Sequence, residues 1–382
     1  MFCAAPFIHS FVSTSGKKFL CCAANRWSEN MRDLDDWEGE DFQYIRNHML
    51  TKDEWLSDCD NCRIQESVGE DSIRQDMNKL WELSGKPSIN SVSGNVFGVP
   101  FSYDIRLNNL CNLSCRMCGP DSSSQLVKEA EKNPELWPDW EKEDDEFKAS
   151  LGVKDIDYII KEAQLIKDLK LLGGEPSVQP EVKQLLQKLV DLGNTKIKIY
   201  VTTNGTNVNN EFFNLLKKFD NVSIVVSIDT HPNRLEYIRG GANGKKIWEN
   251  LKKITEMSWP GAMSLSITQV VMSYNLFDFW ELGELVKETP WLSYHRSWMV
   301  YTPLHHSAMY IPQKWKEKAI QIAKDNNCYD RENHIFDTIM LEEENIDHLR
   351  KLKATTELMD FSRNKYLKDY HPLCHEMLEE IV

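Results

Sequence analysis

The chain has 382 residues, 41% hydrophobic and 27% charged, with a formal net charge of −14. That is room for two or three globular domains of ordinary composition. The acidic balance excludes general binding to duplex nucleic acid, because a phosphate backbone is repelled. No run of about 18 apolar residues is present, so no membrane span is expected. Met1–Leu20 has no charged segment ahead of its apolar residues, so no signal peptide is expected and the chain is read as cytoplasmic.

Eight of the ten cysteines fall within the first 118 residues. Without a secretory signal a disulfide framework is improbable, and the clustering points to metal or cluster ligation. Residues 1–95 form the first region, with little regular periodicity and five cysteines: Cys3, Cys21, Cys22, Cys59 and Cys62. A hairpin around Ser15-Gly16-Lys17 would bring Cys3 and Cys21 together, and Cys59-Asp60-Asn61-Cys62 is a C-x2-C pair. Four such thiolates suit either zinc or an iron–sulfur cubane. Cys22 either points away from Cys21, as neighbours in a strand do, or replaces it.

Residues 96–302 alternate strand-like and helix-like segments. The strands are expected at Phe101–Leu107, Leu169–Leu172, Ile197–Thr202, Val222–Ile228, Leu265–Met272 and Tyr294–Tyr301. The amphipathic helices are expected at Ile156–Leu165, Glu181–Leu192, Asn210–Lys218, Lys245–Met257 and Leu276–Lys287. The order predicts an α/β fold, a partial (β/α)6 TIM-like barrel with its ligands at the C-terminal ends of the strands. Ser122–Lys148 reads as an insertion, rich in carboxylates over Glu129–Glu146 and interrupted by Pro134 and Pro138. Residues 303–382 form a mainly helical C-terminal segment, in which Cys328 and Cys374 stand alone as structural residues.

The chemistry-bearing motifs follow these strands. After the first comes Leu110-Cys111-Asn112-Leu113-Ser114-Cys115-Arg116-Met117-Cys118-Gly119-Pro120. Three thiolates in a C-x3-C-x2-C loop can hold a cubane with one iron left open to a small molecule; a closed zinc site would need a fourth ligand from elsewhere. The second strand ends in Gly173-Gly174-Glu175-Pro176, where the glycines allow close backbone approach and Glu175 supplies an acceptor. The third ends in Thr202-Thr203-Asn204-Gly205, a turn signal. The fourth ends in Ser227-Ile228-Asp229, with Ser227 and Asp229 on one side, and Tyr237-Ile238-Arg239-Gly240-Gly241 follows.

Leu110–Pro120 resembles the cluster loop of the radical S-adenosylmethionine (SAM) superfamily, and the later strand ends match that family in order. The resemblance implies a 4Fe–4S cluster on Cys111, Cys115 and Cys118, whose open iron is chelated by SAM. It implies reductive cleavage of SAM and abstraction of a substrate hydrogen by the 5′-deoxyadenosyl radical. It also implies that Gly173, Gly174, Glu175 and Pro176 bind the SAM amino group, with Thr203 and Asn204 close by. Ser227 would bond the ribose, Asp229 would face SAM or substrate, and Arg239 would meet the SAM carboxylate. Met117 and the strand end at Val271-Met272 would lie against adenine. The N-terminal cysteines resemble half of a SPASM domain, a twitch domain, here ahead of the barrel. Pro6, His9, Cys21-Cys22, Glu66, Gly69, Ser72 and Arg74, with Asp360–Arg363 and His371-Pro372, resemble phage-type twitch-domain radical SAM proteins. That implies an auxiliary 4Fe–4S cluster on Cys3, Cys21, Cys59 and Cys62.

The expected substrate is a peptide or amino-acid-derived molecule, and the expected electron donor a flavodoxin or ferredoxin. Within the same chemistry the alternative is a carbohydrate or nucleotide substrate. In a different class, the alternative is a zinc-stabilised scaffold without chemistry. His305-His306, Trp298 and Tyr301 fall near the expected active-site rim.

Overall fold

A computed structural model describes residues 1–14, 18–24, 37–86, 100–137, 165–208, 210–292 and 295–381. The expected hairpin at Ser15–Lys17, almost all of the helix expected at Ile156–Leu165 and residues 138–148 of the acidic insertion lie outside these residues.

Six parallel strands make the frame: β3 (Ser102–Arg106), β5 (Asp168–Leu172), β6 (Lys198–Thr203), β7 (Asn221–Ser227), β9 (Ala262–Val271) and β10 (His295–Met299). Each overlaps an expected strand. The sheet also takes two strands from the N-terminal segment, β1 (His9–Val12), parallel to β3, and β2 (Lys18–Phe19), antiparallel to β1. The order is β10-β9-β7-β6-β5-β3-β1-β2, open between its two ends. The fold is therefore mixed α/β around a mostly parallel sheet.

Alternation decides which side of the sheet is dry. Tyr103, Ile105, Leu169, Leu171, Ile199, Val201, Val222 and Ile224 face the helices Pro180–Asp191, Asn210–Leu216 and Gly244–Glu256 and are at most 1% exposed. Burying an aliphatic side chain this fully contributes about 1.5–3 kcal/mol. The intervening residues, Asp104, Arg106, Asp168, Lys170, Lys198 and Tyr200 among them, give the opposite, inner face its polar character. The expected helix at Leu276–Lys287 begins only at Trp280. Asn275 holds the preceding turn: its Nδ2 donates to Asp229 O and Val270 O, and its Oδ1 accepts from Met272 N.

The N-terminal region is more regular than its sequence suggests, with helices at Glu40–Thr51, Asp60–Ser67 and Ile73–Leu83. Phe42, Ile45 and Met49 do recur at helical spacing and are buried, but a buried Arg46 on the same face obscures the pattern. Arg46 Nε donates to Pro6 O at 2.7 Å, and its guanidinium lies 4.4 Å from the Trp37 ring centre. Residues 70–76 reach across to the far edge of the sheet, where Arg296 donates to Asp71 O at 3.0 Å.

The C-terminal segment is helical, as expected, at Gln313–Asp325, Asn333–Ile339, Ile346–Arg363, Leu367–Tyr370 and Pro372–Glu379. Cys328 and Cys374 are fully buried in its core. Among the described residues, no helix is long and apolar enough to cross a membrane.

Candidate active site

The three-cysteine loop leaves the C-terminal end of β3. Cys111 and Cys115 are buried and Cys118 is half-buried. The loop is pinned by backbone pairing as well as by its length. Ser114-Cys115 forms a short strand, β4, antiparallel to β8 (Arg239–Gly240), with Cys115 opposite Arg239. Arg116 N donates to Ile238 O at 2.8 Å and Cys118 N to Cys115 O at 3.2 Å.

The Gly173–Pro176 turn closes against this loop. Glu175 N donates to Leu110 O at 2.8 Å. Gly174 has φ +50°, and a Cβ there would stand 2.3 Å from Leu110 O, so only glycine allows this approach. The buried Glu175 carboxylate accepts from Thr203 Oγ1 at 2.6 Å, Ser177 N at 3.0 Å and Asn204 N at 2.7 Å. It thereby fastens the end of β6 to the loop, while Pro176 opens a single helical turn, Pro176–Val178. Asn204 Nδ2 in turn lies 4.0 Å from Cys111 Sγ and donates to Asn112 Oδ1 at 2.9 Å.

Arg239 stands on the other side of the loop. Its Nε and Nη2 donate to the two oxygens of Asp229 at 2.6 and 3.1 Å, and its Nη1 lies 3.8 Å from Cys115 Sγ. Asp229 also accepts from Val270 N at 3.0 Å. It is thus held by Arg239 and the Val270 backbone. Ser227 ends β7 half-buried on the inner face. Met117 packs between the two large hydrophobic cores.

The sulfurs share one electrostatic setting. Burial pushes the Cys111 thiol up to about 11, with a backbone hydrogen bond from Leu113 opposing. A hydrogen bond from Cys118 and the nearby Arg239 guanidinium hold Cys115 below its usual range. The same bond, with burial, raises Cys118. Three thiols with N–H donors aimed at two of them fit a cluster that carries net negative charge on its sulfurs.

Sequence reasoning missed the brace behind the loop. Arg116, 1% exposed, donates from Nε to Tyr237 O at 2.8 Å and from Nη2 to Asp360 Oδ1 at 2.5 Å. Its guanidinium stacks on the Tyr237 ring at 3.7 Å. Asp360 also accepts from Tyr237 Oη and Leu367 N, and Arg363 pairs with Glu129 at 2.6 Å. Gln179 was missed as well; its Nε2 donates to Asn108 O and Gly173 O at 3.0 and 2.8 Å, joining the two loops. A glutamine four residues after Glu175 gives no signal in a single sequence.

The histidine pair is not at a rim. His306 is 1% exposed and packs against Tyr274, with its ring 4.3 Å from that of His305. Burial takes His305 down to about 4. Trp298 lies on the inner face under the Arg296 guanidinium, 3.6 Å from its ring centre, and Tyr301 is half-buried.

The second set of thiols also converges. Cys3, Cys21, Cys59 and Cys62 line one small pocket with Leu20, Ala24, Ile73 and Arg74. Burial pushes Cys3 up to about 12 and raises Cys21, Cys59 and Cys62. Behind them, Glu66 accepts from Arg74 at 2.6 and 2.8 Å and from Ser72 at 2.5 Å, and Arg74 donates to Phe2 O. Among the described residues, no group of three His, Cys, Asp or Glu side chains is set to hold a single metal ion.

This is an open parallel α/β sheet whose first main crossover presents three thiols at its strand ends. Residues 105–286 match the model of the radical SAM superfamily, so the chain carries a radical SAM domain. That family implies a 4Fe–4S cluster and SAM. Among characterised proteins, the chain is 29% identical over 172 residues to the sporulation killing factor maturation protein SkfB of Bacillus subtilis (strain 168), covering 45% of this chain and 37% of that protein. It is 29% identical over 196 residues to human molybdenum cofactor biosynthesis protein 1, covering 49% of this chain and 27% of that one. The chain thus spans well under half the length of these curated relatives. Among solved structures it resembles Streptococcus suis SuiB with a TM-score of 0.39 and 13% identity, over 81% of this chain and 66% of that one.

Proposed function

We propose that the chain is a radical SAM enzyme acting on a peptide or amino-acid-derived substrate, with domains at 1–95, 96–302 and 303–382. The observation that carries this reading is the convergence of Cys111, Cys115 and Cys118 on one loop at the C-terminal end of β3, flanked by Asn204 and Arg239. In it, these three cysteines hold a 4Fe–4S cluster, and the family's cofactors supply a 5′-deoxyadenosyl radical for hydrogen abstraction.

The remaining roles belong to the chain. Gly173 and Gly174 leave backbone free to approach the SAM amino group, and Glu175 fixes that turn. Thr203 and Asn204 orient the strand end beside Cys111. Ser227 offers a hydroxyl to the ribose, and Met117 offers an apolar side to adenine. Asp229 positions Arg239, which neutralises carboxylate and sulfur charge at the same point. Cys3, Cys21, Cys59 and Cys62 hold an auxiliary cluster in a dry pocket, and a flavodoxin or ferredoxin supplies electrons. Cys21, after β2, lies level with the start of β3, whereas the three-cysteine loop follows its end. Five residues at about 3.3 Å each put the two sites on the order of 17 Å apart along the strand, with the polar inner face between. The name of SkfB as a maturation protein favours a peptide substrate over a carbohydrate or nucleotide.

The test is electron paramagnetic resonance of the anaerobically reconstituted, reduced chain. Adding SAM should change the spectrum of one cluster, and Cys115→Ala should abolish that change. A spectrum indifferent to SAM would remove the reading.

A further inference from the structure

The inner face of the sheet holds a set of side chains that the three-cysteine site does not use. Asp104 on β3 and Lys170 on β5 are register partners. Asp104 is 0% exposed, and no N–H or O–H donates to its carboxylate oxygens; besides Lys170, the group that faces it is the Cys22 thiol, a weak donor. Lys170 Nζ stands 3.7 Å from it, an ion-pair distance without a hydrogen bond. One layer nearer the cluster loop, the Arg106 guanidinium lies 4.8 Å from the centre of the Phe11 ring, and its Nε is buried without a partner. Cys22 turns away from Cys21 into this group. The charges around its thiol are Lys170, Asp104 and Arg106, whereas Cys21 faces Cys62, Cys3 and Cys59 as well as its neighbour.

A buried carboxylate without a donor is costly, and so is a buried guanidinium N–H without an acceptor. A fold keeps such groups where a ligand completes them. The missing complement is specific. Asp104 lacks an N–H donor at hydrogen-bond distance and the Arg106 Nε lacks an acceptor, two residues or about 6.6 Å apart along one strand face. A ligand carboxylate there would meet Asp104, and a ligand ammonium would meet Lys170 and Arg106. A neutral group offering both N–H and C=O satisfies both, and successive peptide units repeat that pair at strand spacing.

We propose that Asp104, Arg106, Lys170 and Cys22 form a subsite for the backbone amides of the substrate, with Cys22 as a chamber-facing thiol rather than a cluster ligand. This rests on the reading above that the inner face receives a peptide.

The experiment uses the reconstituted holoenzyme and N-acetylalanine N-methylamide as probe. Iodoacetamide should alkylate Cys22, located by mass spectrometry, while the cluster ligands are spared. Probe at about three times its Kd should slow that alkylation about fourfold, and Asp104→Leu should abolish the protection. Asp104→Asn keeps the side-chain volume, should hold Tm close to that of the wild type, and should also lose protection. A Cys22 that reacts only after denaturation overturns the proposal. So does protection that is absent in the wild type or persists in both variants, or a Tm several degrees lower in Asp104→Asn. Formation of 5′-deoxyadenosine in the same wild-type samples separates the two readings. Protection without SAM cleavage leaves this subsite standing and removes the enzyme reading, whereas cleavage without protection does the reverse.

Discussion

The two groups of cysteines differ in how much of their surroundings is polar. The loop of Cys111, Cys115 and Cys118 is surrounded by polar anchors. Asn204 and Arg239 aim N–H groups at sulfur, Glu175 ties two strand ends together, and Arg116 is locked to Asp360. The pocket of Cys3, Cys21, Cys59 and Cys62 is walled largely by Leu20, Ala23, Ala24 and Ile73, with backbone N–H groups of Ala5 and Arg74 and the Ser72 hydroxyl on two of its sulfurs and the Arg74 guanidinium engaged by Glu66. A site that must exchange a charged small molecule needs fixed donors around it; one that only buries a cluster needs a dry wall and ligands. The contrast teaches that the two sets should fail differently when disturbed.

The largest effect is expected at the brace. Asp360→Ala leaves Arg116 buried without its carboxylate, and breaking a buried pair costs about 3–5 kcal/mol. Chemical denaturation should report that loss, and the variant should bind less iron at the three-cysteine loop although it touches no sulfur. Unchanged stability would mean that the C-terminal segment is not part of the site's frame.

Next in size, Cys59→Ala should lower iron from about eight to about four atoms per chain while sparing some SAM cleavage. If both clusters vanish together, the two regions are not independent and the contrast fails.

The smallest effect is expected at Glu70. Burial raises its carboxyl to about 7, with Asp71 adding to the shift and Arg296 opposing it; the Tyr301 hydroxyl faces the same group. Because the folded pKa lies above the unfolded 4.5, the folded state binds more protons across that window. The stability is present below pH 4.5 and is lost as pH rises to about 7. Glu70→Gln should flatten this dependence and gain on the order of 1–2 kcal/mol at pH 8. Thermal melts across pH 4–8 would check it, and parallel curves for the two proteins would contradict it.

Legibility in the sequence followed the locality of the interactions. All six main strands were placed, because Tyr103/Ile105 and Leu169/Leu171 alternate cleanly with polar neighbours. The three thiols could be read because they fall within eight residues of one loop. The residues that hold them could not. Arg116 and Asp360 are 244 positions apart and meet only in the fold. Arg239 could be singled out, but its pairing with Asp229 could not. Which of Cys21 and Cys22 lines the pocket with Cys3, Cys59 and Cys62 depended on the side of β2's exit that each side chain takes. The addition of β1 and β2 to the sheet depended on pairings with β3 across some 90 residues.

The most direct measurement of the central claim is 5′-deoxyadenosine release from SAM by the anaerobically reconstituted, reduced protein, set beside a variant with Cys111, Cys115 and Cys118 all changed to alanine. The account predicts release by the wild type and none by the variant. Equal release from both, or a wild type that binds zinc without iron and leaves SAM intact, would contradict it.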